Sequence, residues 1–90
     1  MTVAAIKEMR HALGLDYKSP KGGKYVAYRN YAMYNAPEPV WEGLVAEGLA
    51  QCNIVEDNKV LMSPFYSYSL TRAGLDLVGA MIGARIEVTE

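Results

Sequence analysis

The sequence predicts a small α+β domain, with about three helices and a β-hairpin or small antiparallel sheet. Three observations carry that expectation. Apolar residues recur at the helical 3.6 period over residues 2–13 and again over 72–84. A Gly-Leu pair closes a helical stretch twice, at Gly14-Leu15 and Gly48-Leu49, where glycine turns left-handed and leucine folds back onto the helix. Tyr66, Tyr68 and Leu70 alternate with Ser67 and Ser69, the period of two that marks a half-buried strand. The chain has 90 residues, 51% of them hydrophobic and 21% charged. That is an ordinary globular composition and makes one domain, residues 1–90, with no room for a second core.

In the first helix, residues 2–13, Val3, Ile6, Met9 and Leu13 share one face, flanked by Ala5 and Ala12, with Lys7, Glu8 and His11 opposite. Thr2 suits the N-cap. Residues 16–24 are a loop, broken by Pro20 and Gly22-Gly23. Residues 25–35 fit either a strand or a short helix. Tyr25, Tyr28, Tyr31 and Tyr34 stand three apart, and no regular element puts all four on one face. The stretch divides into a contact patch ending at Arg29 and, from Tyr31 to Asn35, a segment expected in the core.

Pro37 and Pro39 bracket the start of a second helix that runs to about Glu47, with Trp41, Leu44, Val45 and Gly48 on one face and Cys52 continuing its direction. Residues 50–70 read as a β-hairpin or long wing, with Ile54-Val55 and Val60 to Met62 flanking a polar turn at 56–59, and a break at Pro64. Thr71 suits the N-cap of a last helix, 72–84. Leu75, Val78, Ile82 and Ile86 form its stripe, which Leu77 and Met81 widen. Gly79 and Gly83, four apart, allow close approach of a second backbone, either inside the domain or across a dimer.

Two of these segments carry a resemblance. LVAEGLA at 44–50 and YSLTRAGLDLV at 68–78 resemble the winged-helix segment of PadR- and MarR-type regulators. In those a helix ends in Gly-Leu, a wing follows, and its second strand enters a Y-x-L-T-x-x-G helix start, here Tyr68, Leu70, Thr71 and Gly74. The match covers about a third of the chain and implies a winged-helix-like domain. Those regulators place two helices before the wing, whereas here the tyrosine-rich segment stands in the place of one. The whole chain also resembles a group of small prophage-encoded proteins of unknown function. They share R-H-x-L-G-L, here Arg10, His11, Leu13, Gly14 and Leu15. They share Y-R-N, here Tyr28, Arg29 and Asn30, with the same L-V-A-x-G-L and L-T-x-A-G elements. This resemblance implies a phage or prophage origin and brings no activity with it.

The chemistry of the side chains excludes more than it offers. One histidine and one cysteine, His11 and Cys52, fall on different elements, so no nucleophile pair is expected. No cluster has zinc-ligand spacing. Gly23-Lys24 is not a phosphate-binding loop, because the places that need glycine and Ser or Thr hold Lys18 and Tyr25. No enzyme activity, cofactor or small-molecule substrate is expected. The single cysteine forms no internal disulfide, and Lys7, Glu8 and Arg10 interrupt any signal-peptide pattern. No apolar run is long enough to span a membrane. A cytoplasmic protein is the expectation.

Two binding surfaces remain. The net charge is -1. The outward face of the second helix, Glu42, Gly43, Ala46, Glu47 and Ala50, has two carboxylates and no cation, which disfavours docking in a major groove. Positive charge gathers instead at Lys18, Lys21, Lys24 and Arg29, interleaved with Tyr25 and Tyr28. Residues 18–29 are thus the candidate surface for DNA or RNA, lysines holding phosphates while tyrosines stack on unpaired bases. The alternative is a protein-interaction module or homodimer. Seven tyrosines and the wide stripe of the last helix, with Leu77, Gly79, Met81 and Gly83 as its contact, favour that.

Overall fold

A computed structural model of the chain describes residues 2–15, 23–55 and 64–89. Eight elements follow in order: α1 (Val3–Ala12), β1 (Lys24–Ala27), β2 (Ala32–Tyr34), α2 (Pro39–Ala46), β3 (Ala50–Val55), β4 (Phe65–Leu70), α3 (Arg72–Ile82) and β5 (Arg85–Val88). The α+β class, the three helices and the small antiparallel sheet are those read from the sequence.

All three helices start on a side-chain cap and stop on a glycine. Thr2 accepts from the Ala5 N–H at 3.1 Å, Glu38 from Trp41 at 2.9 Å, and Thr71 from Gly74 at 3.3 Å. At the other ends Gly14, Gly48 and Gly83 have φ of 73°, 76° and 70°. In each case the next residue donates its N–H to a carbonyl five positions back: Leu15 to Arg10, Leu49 to Leu44, Ala84 to Gly79. The third of these ends corrects the sequence reading. α3 stops at Ile82, and Gly83 is the left-handed turn after it, with open space where a side chain would be. Ile86 therefore belongs to β5 and not to the helical stripe, although it is fully buried all the same.

The segment 25–35 is two strands in two different sheets. β1 pairs in parallel with β5, Lys24 opposite Arg85 and Ala27 opposite Val88. β2 pairs antiparallel with β4, which pairs antiparallel with β3, giving the order β2-β4-β3. Tyr25, Ala27, Ile86 and Val88 face the core from the first sheet. Ala32, Tyr34, Ala50, Cys52, Tyr66, Tyr68 and Leu70 face it from the second. Cys52 and Ala50 thus lie on a strand and do not extend α2. Tyr31 and Met33, expected inside, are 53% and 50% exposed, and of the segment 31–35 the tyrosine packed on the core is Tyr34. Strand structure at Ile54-Val55 and over Tyr66 to Leu70 is as expected, while the expected turn at 56–59 and the residues Val60 to Met62 lie outside the described residues.

Trp41 anchors the core where α2 crosses the sheet. Its ring stacks on Tyr68, centroids 5.6 Å apart, and Tyr34 meets Tyr68 edge-on at 5.9 Å. The polar tips of this cluster are satisfied by carboxylates. The Tyr68 hydroxyl donates to Glu42 at 2.8 Å and accepts from the Glu38 N–H at 3.1 Å. Glu8 accepts from the Tyr34 hydroxyl at 2.9 Å and from the Trp41 indole N–H at 3.4 Å. Burial above all pushes both phenols up to about 12, with Glu8 adding to it at Tyr34 and Glu42 at Tyr68, where the Glu38 N–H opposes it.

Candidate nucleic-acid interface

Residues 28–31 join β1 to β2 by crossing the C-terminal end of α1. Tyr28 lies against Gly14, so close that a β-carbon there would meet its ring at 2.5 Å. The Arg29 guanidinium donates to the His11 carbonyl at 2.6 Å and sits 5.5 Å from the centre of the Tyr28 ring. A cation at the carbonyl end of a helix is favourably placed, and one over an aromatic face adds attraction. Asn30 acts as one rung of the sheet. Its side-chain amide donates to the Leu70 carbonyl at 3.0 Å and accepts from the Leu70 N–H at 2.9 Å. The Tyr31 N–H then reaches the Ala12 carbonyl at 3.3 Å.

Both halves of the R-H-x-L-G-L and Y-R-N pattern are therefore in contact with each other. So are the other two segments. The Thr71 hydroxyl donates to the Gly48 carbonyl at 2.7 Å, and its N–H to Leu49 at 3.1 Å. Gly74 packs so tightly on the Leu49 carbonyl that any β-carbon would overlap it. The four patterns thus fold into two internal contacts.

Some side chains of these patterns, and one residue beside them, remain at the surface. Tyr28 is 62% exposed and Tyr31 53%, on either side of Arg29. The last turn of α1 adds the exposed His11 and the half-buried Arg10. Tyr31, Arg10 and His11 escape sequence reasoning, because only the break between β1 and β2 brings 28–31 over this helix end. The tyrosine spacing was the available signal: a step of three puts Tyr25 and Tyr34 inward on separate strands and leaves Tyr28 and Tyr31 between them.

Of the residues expected in the patch, Lys18 and Lys21 lie outside the described residues. Tyr25 is turned inward. Its hydroxyl donates to the Leu13 carbonyl at 3.1 Å, and burial raises its pKa, helped by Tyr28 and opposed by Arg29. Lys24 is exposed at the start of β1, in a mixed charge field. Arg85 opposite it pairs with Glu87, and Arg72 pairs with Asp76 at 2.8 Å and Glu87 at 3.5 Å. The Arg85 guanidinium above all holds the Glu87 carboxyl below the usual range. Of the six residues expected to touch nucleic acid, the structure brings together Tyr28 and Arg29.

The other expected surfaces also divide. On α2, Glu42, Gly43, Ala46 and Glu47 are exposed, while Ala50 is buried in β3 and Glu42 is engaged by Tyr68. On α3, a β-carbon at Gly79 would meet the Ala84 carbonyl oxygen at 2.5 Å, so this glycine serves packing within the domain. Leu77 packs half-buried against the core and Gly83 is the helix stop, which leaves Met81, 46% exposed, as the large apolar side chain of that contact at the surface.

His11 and Cys52 stand on α1 and β3. Among the described residues no three His, Cys, Asp or Glu side chains are grouped to hold a metal ion, and no helix is long and apolar enough to cross a membrane. No protein-family model, curated protein or solved structure matches the chain.

Proposed function

We propose that the chain is a non-catalytic, winged-helix-like binding module of phage or prophage type, cytoplasmic, that associates with unpaired nucleic acid through residues 28–31 and the basic loop before β1. One observation carries the reading: two exposed tyrosines flank an arginine that is already fixed, at a helix end that also presents Arg10 and His11. Aromatic faces that stack on bases beside cations that hold phosphates are the chemistry of single-strand binding. Because Arg29 is ordered by His11 and Tyr28, little side-chain freedom remains for binding to remove. In the sequence Lys18 and Lys21 shortly precede Lys24, the first residue of β1. The winged-helix part rests on β2 joining the β3–β4 hairpin with α2 before it and α3 after it. The acidic, exposed Glu47 and the carboxylate of Glu42 direct contact away from α2.

Titration of a fluorescent single-stranded oligonucleotide at several salt concentrations tests this. Binding should weaken steeply with salt, and Lys21→Glu with Lys24→Glu should abolish it. An absence of binding at low salt would sink it. A second reading, a protein-interaction module without nucleic-acid binding, is favoured by the exposed Met33, Ile54, Val55 and Met81.

A further inference from the structure

The outer edge of β3 supports an inference independent of nucleic-acid binding. β3 is the last strand of its sheet, with β4 on one side and, among the described residues, no strand on the other. All its residues are in register with β4, so it is a regular extended chain of about 20 Å. Alternate N–H and C=O groups of such a strand point away from its neighbour. Free edges are normally blunted by shortness, lysine or proline. The opposite edge strand, β2, follows that rule: it is three residues long and Pro37 stands just beyond it. β3 does not. Its sequence, AQCNIV, has no charge and no proline. Its far end is apolar on both faces, with Ile54 on the core side 52% exposed and Val55 on the other side 44% exposed.

We propose that β3 pairs antiparallel with β3 of a second copy, joining two three-stranded sheets into one of six strands. The strand's own chemistry selects this occupant. A two-fold axis opposes the segment to itself, and an uncharged strand meets its copy without repulsion. It offers no charge that would select a foreign peptide. Residues directly opposite one another share a face of the sheet. Gln51, Asn53 and Val55 therefore oppose one another, and Ala50, Cys52 and Ile54 do the same. One strand per partner is a small contact beside the roughly 800 Å² per side of a standard interface. The dimer is consequently weak and concentration-dependent.

Sedimentation under reducing conditions, from about 5 µM to about 500 µM, should show a shift from monomer to dimer. Q51K/N53K places lysines opposite lysines and should remain monomeric throughout, as should Q51E/N53E. Both changes are at exposed positions, and melts at low concentration should match the unmodified chain. Asn53→Lys alone is the milder variant if the double one melts lower. Mixing the lysine and glutamate variants one to one should restore the dimer. The proposal fails if the unmodified chain is monomeric at the highest concentration. It fails equally if the lysine variant still dimerises, which would move the contact to another surface such as Met81, or if the mixture stays monomeric.

Discussion

α1 and α2 both stop on a left-handed glycine followed by a leucine whose N–H reaches back to Arg10 or Leu44. What covers the two ends is different. The α2 end receives the start of α3: Thr71 bonds to Gly48 and Leu49, and Gly74 closes on the Leu49 carbonyl. The α1 end receives an irregular segment, 28–31, whose backbone and Arg29 guanidinium bond inward while Tyr28 and Tyr31 stay outside. The same signal in sequence thus makes one sealed joint and one joint with aromatic and basic groups at the surface. The residues that resemble a winged-helix regulator belong to the sealed one. The proposed binding role lies at the other.

Breaking the sealed joint should have the largest effect. Gly74→Ala forces a methyl group against backbone that cannot move aside, and should cost about 3 kcal/mol or more in chemical denaturation. Oligonucleotide binding by the fraction that stays folded should be unchanged. The two terminal glycines sharpen the contrast. Gly48→Ala meets open space and should cost only the left-handed strain, about 1 kcal/mol. Gly14→Ala has the same strain and must also displace the Tyr28 ring, so about 2 kcal/mol is expected, together with weaker oligonucleotide binding. Equal costs at the two glycines would remove the distinction drawn between the joints.

Asn30→Ala takes away both bonds to Leu70 and should lower stability by about 1 to 2 kcal/mol. The smallest effect is one of pH. The Tyr34 and Tyr68 phenols have an ordinary value of 10.0 and are pushed up to about 12 in the fold. A raised value means that stability from these groups is complete below pH 10.0. It is lost between there and about 12, as the unfolded chain ionises first. Tyr68→Phe should flatten that alkaline loss in a pH series of denaturation curves, whereas Tyr31→Phe should not alter it.

Much of this architecture is legible in the sequence because its signals are local. Thr2 and Thr71 cap helices within one turn, and Gly14 and Gly48 end them within two residues. The alternation of Tyr66, Tyr68 and Leu70 marks β4 without reference to its partners. What escapes is set at long range. β1 and β5 are four residues each and pair in parallel across most of the chain, so neither has a pattern of its own. Ile86 fits a helical stripe and a buried strand equally well, and only the stop at Gly83 decides between them. The candidate site shares that limit. Arg29 and Tyr28 read as a basic, aromatic loop, but the placement of Tyr31 depends on Asn30 substituting for a strand residue opposite Leu70.

Tyr31→Ala tests the central claim most directly. The ring is exposed, and the attachment to α1 is through the backbone N–H, which the substitution keeps. Melting of the variant should therefore match the unmodified chain. Anisotropy titration with a single-stranded oligonucleotide at low salt should show affinity reduced by about 5- to 100-fold, the loss of one base stacked on one ring. An unchanged affinity, with the fold intact, would contradict the assignment of residues 28–31 as the nucleic-acid contact.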